Sequence, residues 1–177
     1  MKKIRIISGD ITKIEADAIV NAANTTLLGG GGVDGAIHRA AGKKLLAACK
    51  KLNGCPTGEA KITPGFLLPA RYVIHTPGPV WRGGKHQEEE LLASCYWNSL
   101  KQAAAASCTK VCFPSISTGV YRFPLAKAAP IAIQTIAAFL QQDSTIKEVL
   151  MVCFEDTALA AYTAALAEWE ERHAEKR

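Results

Sequence analysis

Four consecutive glycines, Gly29 to Gly32, lie between the apolar run Ala18-Ile-Val-Asn-Ala22 and a helix-like run that opens at Val33. Such a run cannot fill a core, because glycine offers no side chain to pack and loses the most backbone entropy on ordering. It is useful where a backbone must pass close to something else. A glycine loop that runs into a helix start presents free N–H groups and the positive end of the helix dipole. That arrangement suits an anion, most often a phosphate. Asp34 is the one acidic group of the stretch, and Asn21 and Asn24 lie just upstream. The stretch reads as a phosphate-bearing ligand site with a carboxylate beside it.

Around it, β-branched runs alternate with helical spacing. Lys3–Ser8 reads as a strand ended by Gly9-Asp10, and Ala18–Ala22 as a second strand that delivers Asn21 and Asn24 to its carboxyl end. Val33 to Ala41, closed by Gly42, and Lys43 to Leu52 read as two helical pieces. Ala60 to Thr63 and Tyr72 to Thr76 are short strands, and Gln87 to Ala106 is a long helix. Glu88-Glu-Glu90 reads as the solvated first turn of that helix. Lys110 to Phe113 is a strand that runs into Ser115–Tyr121, and a helix from Pro124 to Leu140 follows. Glu148 to Phe154 is the last strand. Asp156 or Thr157 caps a final helix through Trp169, with the charged tail Glu170 to Arg177 expected to fray. The alternation predicts an α/β domain with a central, largely parallel sheet between helices. In such sheets ligands bind at the carboxyl ends of strands. Gly9-Asp10, Asn21 to Asp34, Ser115 to Tyr121 and Phe154-Glu155-Asp156 would gather there.

The bulk composition narrows the class without deciding it. A chain of 177 residues is most simply one domain. The net charge of +5 would attract a polyanion but falls short of a dedicated nucleic-acid binder. No apolar run is long enough for a signal peptide or a membrane span, so the expectation is a cytoplasmic protein without a membrane partner. The six cysteines form no C-x-x-C pair and no zinc-like spacing with histidine, which argues against a metal site or a disulfide scaffold.

At the gathered loops, Gly30, Gly32 and Gly35 match Gly-x-Gly-x-x-Gly. The match does not follow a strand directly, and no acidic residue closes a second strand about 20 residues on, as a dinucleotide fold requires. No Gly-Lys-Ser/Thr follows either, which excludes a P-loop. Ser115–Tyr121 is rich in hydroxyls and small residues and is either a second phosphate loop or a plain strand–helix connection. Tyr121 either covers a ligand or packs on the next helix. Asp34 is either a helix cap or a group with a chemical use, such as orienting a water or a sugar hydroxyl. His38 shares its helix face and reads as structural, as does His75. Asp10 is either a ligand residue or the head of an Asx turn.

Four pieces carry a family resemblance: Gly9-Asp10-Ile11, Asn21 to Gly42, Gly58 to His75, and Phe113-Pro-Ser-Ile-Ser-Thr-Gly-Val-Tyr121. Together they resemble the macrodomains, ADP-ribose-binding modules, and are most similar to the branch that includes bacterial O-acetyl-ADP-ribose deacetylases. The resemblance implies a three-layer α/β/α sandwich around a mixed sheet. It implies Asp10 and Ile11 at the adenine, and Asn24 and Asp34 at the distal ribose. Gly30, Gly31, Gly32 and Val33 would cradle one side of the diphosphate, and Ser117, Thr118, Gly119, Val120 and Tyr121 the other. Phe154 would flank the adenine-side ribose. Arg122 stands where these proteins usually have glycine, and Pro77 where valine is common.

The implied activity is hydrolysis of esters of ADP-ribose, with O-acetyl-ADP-ribose or mono-ADP-ribosylated proteins as substrates and Asp34 and Asn24 as the catalytic pair. No metal or cofactor is required by these residues. The alternative is a non-catalytic reader of ADP-ribose. RNA binding through the basic surface is a third, weaker reading, marked by steep salt dependence.

Overall fold

The computed structural model describes residues 2–174. Six strands form one sheet: β1 (Lys3–Ser8), β2 (Ala16–Ala23), β3 (Lys61–Pro64), β4 (Ala70–Pro77), β5 (Lys110–Phe113) and β6 (Glu148–Cys153). Their order is β1-β6-β5-β2-β4-β3. All neighbours pair parallel except β3, which runs antiparallel to β4 at one edge. The helices are α1 (Gly32–Ala41), α2 (Lys43–Lys51), α3 (Glu88–Ala105), α4 (Leu125–Gln142) and α5 (Asp156–Ala174). Each parallel crossover is long enough to hold a helix or an equivalent stretch, as parallel pairing requires.

The period-two pattern of the strands divides the core into two layers. Ala18, Val20, Ile74, Val111, Phe113, Val149 and Met151 meet α3, α4 and α5 on one face of the sheet. Ile19, Ala23, Val73, Cys112, Leu150 and Val152 meet Ile37 and Ala41 of α1 and Leu45 and Cys49 of α2 on the other. The result is the expected three-layer sandwich with a mixed, largely parallel sheet. All six cysteines are buried and free.

The carboxyl ends of β1, β6, β5 and β2 lie side by side in the strand order. The four loops expected to gather therefore leave the sheet at one edge. Gly9 N–H donates to the Cys153 carbonyl across 3.1 Å, joining the first of these loops to the last.

Two readings of the helices are corrected. Glu88 is buried, and its carboxylate accepts from the backbone N–H groups of Arg82 (2.9 Å), Gly84 (2.8 Å) and His86 (2.5 Å). Burial works against the charge, but these N–H donors outweigh it and bring the carboxyl down to about 2. Only Glu89 and Glu90 are solvated. The final helix does not fray at Glu170: it continues to Ala174, and residues 175–177 lie outside the described residues. Its last turns are held by the Arg172–Glu168 pair at i,i+4 and by Trp169 stacked on His173 at 4.0 Å between ring centroids. Pro130 sits inside α4, in the helix's second turn.

Candidate active site

The glycine loop does what its composition requires. Gly31 is the N-cap of α1 in extended conformation, and Gly32 takes φ +58°, in the left-handed region that favours glycine. Cβ atoms placed at Gly31 and Gly32 would meet nothing within 4 Å, so this backbone borders open space. At Gly35 the reverse holds: a Cβ there would sit 2.5 Å from the Gly30 carbonyl oxygen. The loop therefore folds back tightly on α1. The first N–H groups of an α-helix have no partner inside it, so the helix start offers donors and the positive dipole end to an anion.

Asp34 lies in this first turn, but it does not cap the helix, since Gly31 occupies that position. Its side chain is buried at 5% exposure. Asn21 Nδ2 donates to Asp34 Oδ1 across 2.8 Å and approaches His75 Nδ1 at 3.2 Å. His75 Nε2 faces Thr63 Oγ1 at 3.0 Å and Cys49 Sγ at 3.7 Å. This network fixes the tautomer: Nδ1 accepts from Asn21, so Nε2 carries the hydrogen and donates to Thr63. Burial, with His38 adding to it, holds the His75 imidazole down at about 3, so the ring is neutral at physiological pH. His38 Nε2 is 3.4 Å from Asp34 Oδ1. That is a charge contact when the ring is protonated, but it is not aligned as a hydrogen bond, and the nitrogen has no such partner among the described residues.

With Oδ1 held from behind, Oδ2 faces the loop. A Cβ at Gly30 would lie 3.2 Å from Asp34 Oδ2 and 3.5 Å from Asn24 Nδ2. The absence of a side chain at Gly30 thus leaves a gap shared by Asp34 and Asn24. Asn24 is itself tied into its loop: Nδ2 donates to the Gly29 carbonyl at 2.8 Å, and Oδ1 accepts from Thr26 Oγ1 at 2.6 Å and Leu27 N at 3.1 Å. One Asn24 N–H remains for a ligand in the gap.

Across the sheet edge, Ser117 to Tyr121 forms a closed turn. Arg122 N–H donates to the Gly119 carbonyl (3.0 Å), Phe123 N–H to the Ser117 carbonyl (2.9 Å) and Trp81 N–H to the Tyr121 carbonyl (2.8 Å). Ser117 at φ +67° and Arg122 at φ +62° both adopt the left-handed conformation, which explains why glycine suits the second position. The hydroxyls are not the donors that the residue types suggest. Ser117 Oγ is buried, and Thr118 Oγ1 pairs with Ser115 Oγ at 2.5 Å, which in turn meets Tyr162 Oη at 2.8 Å. The turn therefore faces a ligand mainly with backbone. Val120, 91% exposed, and Phe154, 86% exposed, rim the same edge.

Asp10 heads an Asx turn. Thr12 Oγ1 donates to its Oδ1 at 2.7 Å and Thr12 N at 3.0 Å, which together hold the carboxyl below its ordinary value. The second carboxylate oxygen is left for another donor, and Ile11 beside it is buried. Among the described residues no group of three or more His, Cys, Asp or Glu side chains converges to hold a metal ion. No helix among them is long and apolar enough to cross a membrane.

The sequence profile of the macro domain matches residues 20–132, more than half of the chain. The chain belongs to the macro domain family. A macro domain-containing protein of Lactiplantibacillus plantarum is 63% identical over 168 residues, covering 94% of this chain and 98% of that protein. A Klebsiella pneumoniae protein named O-acetyl-ADP-ribose deacetylase is 54% identical over 168 residues, covering 93% and 96%. Among solved structures, a point mutant of the Oceanobacillus iheyensis macrodomain with ADPR superposes with a TM-score of 0.92 at 46% identity, covering 96% of this chain and 95% of that one.

Within this macrodomain the residues read from the sequence fall into three groups. Gly30, Asn24 and Asp34 converge on one gap. Gly31, Gly32 and Val33 on one side and Ser117 to Tyr121 on the other flank the strand ends. Asp10, Ile11 and Phe154 occupy the β1 and β6 exits. The Asn21–His75–Thr63 frame behind Asp34 is what the sequence reading missed, since it took His75 as an unconnected structural residue. The available signal was periodicity: position 75 shares a sheet face with Val73, as position 21 does with Ile19, and Asn21 and His75 are register partners.

Proposed function

We propose that this macrodomain binds ADP-ribose and hydrolyses esters on its distal ribose, releasing an acyl group from O-acetyl-ADP-ribose or an acidic side chain from a mono-ADP-ribosylated protein. The observation that carries this reading is Asp34: one oxygen held by Asn21, the other facing a gap bordered by Gly30 and Asn24. The names of relatives such as the Klebsiella pneumoniae deacetylase support it.

In this mechanism the two backbone loops hold the diphosphate. Position then does much of the work, because a fixed diphosphate leaves the distal ester little freedom. Asp34 Oδ2 accepts a proton from a water in the gap as that water's oxygen attacks the ester carbonyl carbon. The tetrahedral adduct collapses by breaking the bond to the ribose oxygen. That oxygen leaves with the proton returned from Asp34, giving a carboxylic acid and ADP-ribose. The free Asn24 N–H holds a ribose hydroxyl.

The second reading is a reader that binds without turnover, and the engagement of Asn24 inside its own loop favours it. Incubation of the purified protein with O-acetyl-ADP-ribose separates the two. Acetate release well above the buffer rate supports the hydrolase, and release at the buffer rate with tight ADP-ribose binding supports the reader.

A further inference from the structure

The ester chemistry makes no use of the face that α2 turns to solvent. Between Gly35 and Gly58 the chain carries five cations, Arg39, Lys43, Lys44, Lys50 and Lys51, and no acidic residue. Five is also the formal net charge of the whole chain, so the remaining residues are balanced and the basic excess lies here. All five side chains are exposed, and none forms an ion pair among the described residues. Lys43 and Lys50, like Lys44 and Lys51, are seven residues apart and share a helix face. They make a stripe ~13 Å long on a nine-residue helix. Like charges held together without counter-charges repel, and an anionic partner relieves that repulsion.

The stripe ends beside the candidate active site. Lys61 Nζ donates to the Leu52 (2.8 Å) and Gly54 (2.6 Å) carbonyls, fixing the turn after α2. Cys55 N–H donates to the Thr25 carbonyl at 2.9 Å, which fastens that turn to the Asn24 loop. Between them lies a depression of about 390 Å³ lined by Thr25, Thr26, Leu28, Lys50, Asn53 and Gly54. Its Thr26 is the residue that holds Asn24 Oδ1. Leu28, 50% exposed, borders this end. Leu67, 80% exposed, stands at the other, where its N–H donates to Ala41 O.

We infer that the outer face of α2 and this depression dock an acidic peptide segment, the polypeptide that carries the ester-linked ADP-ribose. The inference rests on the proposed hydrolase reading and selects the modified protein over the free metabolite as the preferred substrate. An ester between ribose and a protein side chain requires an Asp or Glu at the attachment point, and further acidic residues around it would complement the lysines of the stripe. The depression shares Thr25 and Thr26 with the loop that carries Asn24, the residue assigned to the distal ribose in the proposed mechanism, so a polypeptide attached to that ribose would leave beside it. Lysines recognise carboxylates as point charges, and the flanking leucines suit peptide side chains. A single-stranded nucleic acid is disfavoured because no Phe, Tyr or Trp lies between Gly32 and Leu52 to stack a base.

The test measures dissociation constants and cleavage rates for free ADP-ribose and for two peptides. One carries ADP-ribose on a glutamate among further glutamates, and the other has those flanking glutamates replaced by glutamine. The proteins are the wild type and the variant Lys43→Glu/Lys44→Glu/Lys50→Glu/Lys51→Glu. A glutamine version at the same four positions removes charge without opposing the α2 dipole and guards against misfolding. Wild type is expected to hold the acidic conjugate about tenfold more tightly than the neutral one. That preference is expected to vanish in both variants and in high salt, while free ADP-ribose binds all three proteins alike. If neither conjugate is cleaved but the preference holds, the hydrolase reading fails and the docking surface stands. Equal binding of the two conjugates by the wild type, or an unchanged preference in the variants, overturns the inference. Tighter binding of a single-stranded RNA oligonucleotide than of the acidic conjugate overturns it in favour of a nucleic-acid partner.

Discussion

A carboxylate beside a phosphate cradle costs electrostatic energy, so the frame that keeps Asp34 in place matters as much as Asp34 itself. That frame is neutral: an amide, an imidazole held uncharged by burial, and a hydroxyl. It orients Oδ1 through neutral groups, as the base proposed for the hydrolase requires. Asn21→Ala is therefore expected to lower ester cleavage on the order of tenfold to a hundredfold through misplacement of Asp34. ADP-ribose affinity is expected to change little, and steady-state kinetics paired with calorimetry checks the split. Asp34 and Asn24 were legible in the sequence because they flank a glycine run whose chemistry is local. The frame was not, because Asn21 and His75 meet only through the pairing of β2 with β4, and strand order is a tertiary fact. Asn24 was legible as a candidate site residue, but its capture by Gly29, Thr26 and Leu27 was not.

Among the elements, the glycine loop and the turn after β5 respond to substitution in opposite ways. Gly35→Ala drives a methyl into the Gly30 carbonyl, so it is expected to cost about 1–3 kcal/mol of stability and to weaken ADP-ribose binding by shifting the loop. Thermal unfolding and titration of the variant measure both effects. Arg122→Gly relieves a left-handed residue and is expected to gain up to about 1 kcal/mol in chemical denaturation. The helices themselves were well read from apolar spacing and from Gly42 at the end of α1. The error at Glu88 has a physical origin. A glutamate in a first turn is ordinarily solvated, but here residues 82–86 fold back over it and present their N–H groups, which no helical pattern records. The error at the last helix has another origin. Charge density suggested fraying, whereas i,i+4 contacts from Glu168 and Trp169 to Arg172 and His173 hold the turns together.

For the molecule as a whole, His75 and Glu88, the two most strongly depressed groups, dominate the acid side of the stability curve. His75 stays neutral down to about 3 in the fold but takes up a proton near 6.5 when unfolded. The unfolded chain then binds the extra proton, so stability is lost as pH falls below 6.5, by about 1.4 kcal/mol per pH unit at full effect. Glu88 has the same sign: its contribution is present above 4.5 and is lost as pH falls toward about 2. Urea denaturation across pH is expected to show a decline that begins near 6.5 and is steepest between 4.5 and 3. In His75→Gln the part of the decline above 4.5 is expected to disappear. The α/β class and the gathering of four loops were legible from strand–helix alternation. The antiparallel edge strand β3 and the strand order were not, since both depend on pairings between distant segments.

In the proposed hydrolase Asp34 carries the chemistry while the two backbone loops carry the binding. Single-turnover hydrolysis of O-acetyl-ADP-ribose by wild type and Asp34→Ala, with ADP-ribose affinity measured on the same preparations, tests it most directly. The expected result is a cleavage rate lower by about 10²–10⁴-fold in the variant with affinity preserved. Full cleavage by Asp34→Ala with unchanged affinity would contradict it.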